Sequence, residues 1–350
     1  MTEAMPAEAD AVPFLSNIGL LMTYKCQVTC PHCIVQANPH RKEQVHPDEV
    51  FGWIKQLRAY RDGWVRIIAL TGGEPFFDLG LLRAVAEYAQ GCGLTVTAVT
   101  NAFWASSVEK AVRVLSELTA ISNIAFSTDV YHQVAIPLEN IRNGVMAATL
   151  CRRPYVISVC TATKRDEAYL AIVRQLREFT DDDHIQTAIA LPMGRAAQEL
   201  GWKAYETAAE PPRSACTSSS PIIFPDGRVV ACIGPLIELT TPHPLLLGDL
   251  RRESMGEILE RAQANTILHM IRVWGPHKLV TLIRDAGLGG YLPEQYIASS
   301  ICQTCYHLLS TPPLVSFLTE LAQDPTWQRT TAYGRAYYLE EPEMMEQLGV

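Results

Sequence analysis

The placement of its ten cysteines constrains this 350-residue chain more than any other feature. They stand at 26, 30 and 33, at 216 and 232, at 302 and 305, and singly at 92, 151 and 160. The first three form a C-x3-C-x2-C run short enough for one loop. Three such thiolates suit three corners of a 4Fe–4S cluster whose fourth iron stays open, or a structural zinc with His32 or His40 as fourth ligand. Three is an odd number for disulfides. The N-terminus, MTEAMPAEADAVPF, is acidic and lacks the basic and apolar regions of a secretory signal, so the cysteines read as reduced thiols of a cytoplasmic protein. Cys216, Cys232, Cys302 and Cys305 make a second set, C-x15-C-x69-C-x2-C, enough to fill a cluster or a zinc site.

Around these thiols the chain alternates short β-branched runs with helical patterns. Strands are expected at 18–23, 65–71, 95–100, 121–127, 156–161 and 185–192, and helices at 47–60, 79–90, 107–118, 138–150 and 165–179. A strand–helix repeat of roughly 30 residues means βαβ units and a parallel sheet. Six units are too few for a closed eight-stranded barrel, which leaves an open partial barrel or a doubly wound sheet. In either, ligands gather at the C-terminal ends of the strands. Beyond residue 196 the pattern changes. Ile222–Phe224, Pro225-Asp226-Gly227 and Val229–Cys232 read as a β-hairpin, followed by helical periodicity over 254–264 and 267–286. Hydrophobic residues at 48% and charged ones at 19% fit a globular protein, and no apolar run reaches the roughly 18 residues that span a bilayer. A net charge of −8 without a basic stripe argues against nucleic-acid binding.

The second expected strand ends in Thr71-Gly72-Gly73-Glu74-Pro75. Coming one strand after Cys26, Cys30 and Cys33, this sequence resembles the GGEP motif of the radical SAM superfamily. Further matches follow in order: Thr100-Asn101 at the third strand, Ser127-Thr128-Asp129 at the fourth, and Pro192-Met193-Gly194-Arg195-Ala196 at the sixth. The four later cysteines, with PDGRVVAC before Cys232, resemble the auxiliary-cluster "twitch" domain, a shortened SPASM domain. No cysteine follows Cys305, so a second auxiliary cluster is not expected.

The resemblance implies a partial (β/α)6 barrel over 17–200 and a small α+β auxiliary Fe–S domain over 201–320, flanked by a tail at 1–16 and a tail or helix at 321–350. It implies a SAM-binding 4Fe–4S cluster on Cys26, Cys30 and Cys33, and an auxiliary 4Fe–4S cluster on Cys216, Cys232, Cys302 and Cys305. It implies S-adenosylmethionine (SAM) near Gly72, Gly73, Glu74, Pro75, Asn101, Ser127, Asp129 and Arg195, with the glycines admitting the ligand and Glu74 receiving its ammonium. Reductive cleavage of SAM would give a 5′-deoxyadenosyl radical that abstracts hydrogen from a C–H bond. Tyr131 and His132 are candidates to face substrate. Cys160, ending the fifth strand, is either a hydrogen-atom donor or a small core residue. The helical stretch between Cys232 and Cys302 is expected against the substrate cavity. Many twitch- and SPASM-containing relatives modify ribosomally made peptides, so peptide crosslinking, epimerisation or oxidation is the first reading. Oxidation or epimerisation of a sugar or aminocyclitol is the second, and a non-catalytic zinc scaffold the third. Flavodoxin or ferredoxin is the expected electron donor, and no membrane partner is expected.

Overall fold

A computed structural model describes residues 13–217, 220–232 and 234–349; most of the expected N-terminal tail, residues 1–12, lies outside them. Residues 13–16 are not loose. Phe14 and Leu15 are buried, and the Trp64 indole donates to the Phe14 carbonyl at 2.6 Å.

Six parallel strands follow: β1 (Asn17–Leu21), β2 (Ile67–Thr71), β3 (Thr95–Thr100), β4 (Ile121–Thr128), β5 (Tyr155–Thr161) and β6 (Ile185–Ile189). They lie side by side in chain order, which is the open partial barrel expected of six βα units. The crossovers are α1 (Pro47–Ala59), α2 (Leu79–Gly91), α3 (Val108–Glu117), α4 (Leu138–Leu150) and α5 (Glu167–Leu176). Their starts are written in the sequence. Pro47 opens α1, while the Asp78, Ser107 and Asp166 side chains accept backbone N–H groups in the first turns of α2, α3 and α5. Each helix turns one apolar stripe inward; α1 buries Val50, Trp53, Ile54 and Leu57.

After α6 (Ala196–Glu199) and β7 (Thr207–Ala208), the hairpin of β8 (Ile222–Ile223) and β9 (Arg228–Val230) does not begin a separate sheet. β8 pairs parallel with β1, Gly19 opposite Ile222, and β10 (Leu246–Asp249) completes a nine-stranded sheet at that edge. The periodicity expected as one helix over 267–286 is two, α8 (Thr266–Trp274) and α9 (Pro276–Asp285), preceded by α7 (Met255–Gln263). The break falls at Pro276, which has no N–H with which to continue a helical ladder. β11 (Tyr296–Ile297) pairs with β7, and α10 (Cys302–Ser310), α11 (Pro312–Leu321), α12 (Pro325–Tyr338) and α13 (Glu343–Leu348) complete the chain. No helix among the described residues is long and apolar enough to cross a membrane.

Candidate functional site

A cavity of about 320 Å³ opens at the C-terminal ends of the parallel strands. On one side lies the loop after β1, with Cys26, Cys30 and Cys33; on another lies Thr71-Gly72-Gly73-Glu74 after β2. Asn101, Ser127 and Cys160, from the ends of β3, β4 and β5, also line it. Cys26 and Cys30 are buried and Cys33 is partly so. Burial pushes the Cys26 thiol up to about 12 and raises that of Cys33, so loading a metal here must expel protons.

The spacing of these thiols separates the two metal readings. A tetrahedral zinc with Zn–S bonds of about 2.3 Å holds its sulfurs about 3.8 Å apart. Among the described residues the one set of three ligating groups within 4.8 Å of one another is His32, Asp129 and His132, which contains no cysteine. Neither cysteine set therefore brings three sulfurs within zinc spacing.

Glu74 is 1% exposed, and both of its carboxylate oxygens accept hydrogen bonds with capacity to spare on Oε2. Oε1 accepts the Phe76 N–H at 3.0 Å and the Thr100 hydroxyl at 2.9 Å, while Oε2 accepts the Asn101 N–H at 2.8 Å. No salt bridge joins Glu74 to a side chain among the described residues, and burial pushes its pKa up to about 7 despite those donors. Asn101 carries the connection onward. Its Nδ2 lies 3.8 Å from Cys26 Sγ, and its Oδ1 accepts from Gln27 Nε2 at 2.8 Å. The end of β3 is thus tied to both the GGE turn and the cysteine loop.

The glycines line the cavity and also serve a purpose beyond the expected one. A Cβ on Gly72 would come within 2.5 Å of the Thr23 carbonyl oxygen, and one on Gly73 within 2.3 Å of that of Lys25. Gly73 N–H donates to Thr23 at 2.6 Å and Glu74 N–H to Lys25 at 2.9 Å. What approaches so closely is the backbone leading into the cysteine loop.

Three expected SAM contacts stand apart from the cavity. Pro75 is buried and begins the turn after Glu74. Arg195 reaches the cysteine loop, donating to the Cys30 and Ala37 carbonyls. Asp129 is 1% exposed, with Oδ1 accepting the Tyr131 and His132 N–H groups at 2.9 Å each. Its Oδ2 lies 2.9 Å from His132 Nδ1 and 3.5 Å from His32 Nε2. Burial disfavours a charged His132, but its hydrogen bonds to Asp129 and Cys30 outweigh that and push the ring up to about 10; burial takes His32 down to about 4. Tyr131 packs against His32 with ring centroids 4.7 Å apart and planes tilted by 31°, and does not line the cavity, whereas His132 does. Sequence reasoning missed His32 as a member of this group. Its signal was the Pro31-His32 pair between two ligand cysteines.

The second cysteine set also converges. Cys216 precedes the hairpin and Cys232 follows it, while Cys302 and Cys305 share one face of the first turn of α10. Charge on Cys216 and Cys302 is felt at Cys232, and charge on all three at Cys305. Burial pushes Cys232 up to about 12 and raises Cys305 well above an ordinary thiol. Contrary to expectation, helices α7, α8 and α9 between Cys232 and Cys302 do not face the cavity. Among the described residues its lining ends at Ile237 and includes nothing from α7, α8 or α9.

Residues 20–152 match the radical SAM superfamily, a span holding Cys26, Cys30, Cys33, the GGEP turn, Asn101 and Ser127. The chain carries a radical SAM domain, and is a radical SAM enzyme whose cofactors are SAM and a 4Fe–4S cluster. It is also similar to a Bacillus subtilis (strain 168) protein whose name places it in peptide biosynthesis, YydG. The two are 21% identical over 307 residues, covering 86% of this chain and 94% of that protein. Among solved structures it resembles BtrN in complex with AdoMet and 2-DOIA (TM-score 0.46, 12% identity, 76% of this chain and 90% of that one). It also resembles Streptococcus suis SuiB bound to S-adenosylmethionine (TM-score 0.44, 13% identity, 83% and 77%).

Proposed function

We propose that this enzyme matures a ribosomally made peptide, abstracting hydrogen from a residue held in the barrel cavity. The observation that carries this reading is the make-up of the cavity lining. Glu74, Asn101 and Ser127 offer carboxylate, amide and hydroxyl, and His32 and His132 add two rings, but much of the rest is apolar, with Val28, Val35, Ala190, Leu191 and Ile237. A sugar or aminocyclitol would need more polar partners than that, because burying unpaired hydroxyls costs a few kcal/mol each. A peptide residue with an apolar side chain needs none. The similarity to YydG over nearly its whole length supports the same choice.

In this reading Cys26, Cys30 and Cys33 hold the SAM-binding cluster, and Glu74, Asn101 and Ser127 receive SAM. When bound, cluster and SAM together supply a 5′-deoxyadenosyl radical. The chain's own part is to bind, orient and keep out water. Glu74 presents a buried carboxylate to the SAM ammonium, Asn101 fixes that corner to the cysteine loop, and the apolar wall excludes solvent from a reactive carbon. Cys160, whose thiol burial keeps protonated, lines the same cavity as His132 and is a candidate hydrogen-atom donor. Cys216, Cys232, Cys302 and Cys305 hold an auxiliary 4Fe–4S cluster within residues 201–320, and flavodoxin or ferredoxin supplies electrons. The test is mass spectrometry of candidate peptides incubated anaerobically with the enzyme, SAM and reductant. A mass change or altered stereochemistry matched by 5′-deoxyadenosine is expected. 5′-Deoxyadenosine with peptides untouched and an aminocyclitol oxidised would overturn it.

A further inference from the structure

Within the run of six consecutive βα strands β1 and β6 are the first and last, and the cysteine loop springs from β1. The segment after β6 reaches across to that loop at four points. The Arg195 guanidinium donates through Nη1 to the Cys30 carbonyl at 2.5 Å and through Nη2 to the Ala37 carbonyl at 2.7 Å. The Arg195 backbone N–H donates to the Cys33 carbonyl at 3.2 Å. Gly194, at φ +58°, lies so close that a Cβ would stand 2.7 Å from the carbonyl oxygens of both Cys33 and Ile34. Arg195 has no salt bridge to a carboxylate among the described residues, so its charge stands against the cysteine loop.

We infer that Gly194 and Arg195 form a clasp that holds the cysteine loop in its ligating shape, with Arg195 a positioning residue for the SAM-binding cluster. The physical basis is a planar fork that spans two carbonyls of the loop, one on a ligand residue and one four residues past the last ligand. A lysine keeps the charge but offers a single point of contact. The two contributions therefore separate. Geometry should set how tightly the loop retains iron. Charge should set how readily the cluster, which carries net negative charge on three thiolates, accepts an electron.

The inference rests on Cys26, Cys30 and Cys33 holding a cluster. The test uses the full-length, anaerobically reconstituted enzyme and follows the reduced-cluster EPR signal that SAM shifts, a property of a cluster with an open iron. Loss of that signal to an iron chelator is timed, with circular dichroism as the check on folding. Arg195→Lys and Arg195→Gln should each lose it at least fivefold faster than wild type. At a fixed applied potential, the reduced-to-oxidised ratio should stay within about twofold of wild type for Lys and fall at least threefold for Gln. Gly194→Ala attacks the same contact from the backbone and should match the lability of Arg195→Lys with the charge intact. Wild-type lability in both folded Arg195→Lys and Gly194→Ala overturns the clasp. A wild-type enzyme with no SAM-shifted signal is a different failure and would overturn the cluster assignment itself.

Discussion

Replacing Glu74 with Gln tests whether the buried carboxylate is the ammonium site. The side chain is 1% exposed and accepts three hydrogen bonds, yet its pKa is pushed up from 4.5 to about 7. Keeping it ionised at neutral pH therefore costs roughly 3 kcal/mol, at about 1.4 kcal/mol per pH unit. A bound ammonium can recover that cost, because an opposite charge within hydrogen-bond reach favours the ionised form. One charge-assisted contact is worth about 1.5–3 kcal/mol, which corresponds to tenfold or more in affinity. At pH 8 Glu74→Gln should thus bind SAM at least about tenfold more weakly, with iron content unchanged. The pH dependence has a definite sign. The pKa of free protein lies near 7 and that of the SAM complex below it, so wild-type affinity should rise as pH increases towards 7 and level off above. The variant should show no such rise. Folding stability runs the other way: the contribution of Glu74 is complete below about 4.5 and is lost as pH climbs through 7. Isothermal titration of SAM at pH 6, 7 and 8 reads the binding effect. Equal affinities for the two proteins, or a wild-type affinity flat with pH, would show that Glu74 only props the end of β3.

Replacing Cys26, Cys30 and Cys33 together with Ala should leave a folded protein with about half the iron and no SAM cleavage, since these residues belong to a small loop cluster outside the main core. Circular dichroism and iron analysis check this, and loss of the fold would contradict it. Cys302→Ala with Cys305→Ala should keep reductive cleavage of SAM but abolish peptide turnover, as followed by 5′-deoxyadenosine and product assays. Wild-type turnover in that variant would make the second cluster dispensable. Gly73→Ala places a Cβ 2.3 Å from the Lys25 carbonyl, so the loop must move. Its thermal unfolding midpoint should fall by several degrees and SAM cleavage should collapse; an unchanged midpoint would sink this account of the GG pair.

Much of the barrel was legible because its signals are local. The β-branched runs and the caps at Asp78, Ser107 and Asp166 place the six parallel strands and five helices to within a few residues. The union of β8 with β1 was not legible, since it depends on a pairing between residues 19 and 222 that no local pattern records. The cysteine sets and the GGEP turn were legible because metal ligation and close backbone approach demand specific residue types. What Arg195 and Asp129 touch was not legible, for the opposite reason. Arg and Asp near strand ends serve ligands and loops equally well, and only distances showed that these two hold the cysteine loop and the histidines. Thr100 is the converse case, an ordinary strand residue whose hydroxyl holds Glu74.

The most direct test is a paired measurement on native protein purified and reconstituted without oxygen: iron and acid-labile sulfide content, and 5′-deoxyadenosine formed from SAM with a low-potential reductant. Two four-iron clusters predict about eight iron and eight sulfide per chain. They also predict 5′-deoxyadenosine formation that disappears when Cys26, Cys30 and Cys33 are replaced. Stoichiometric zinc without sulfide, or full iron loading with no cleavage of SAM, would contradict the account at its centre.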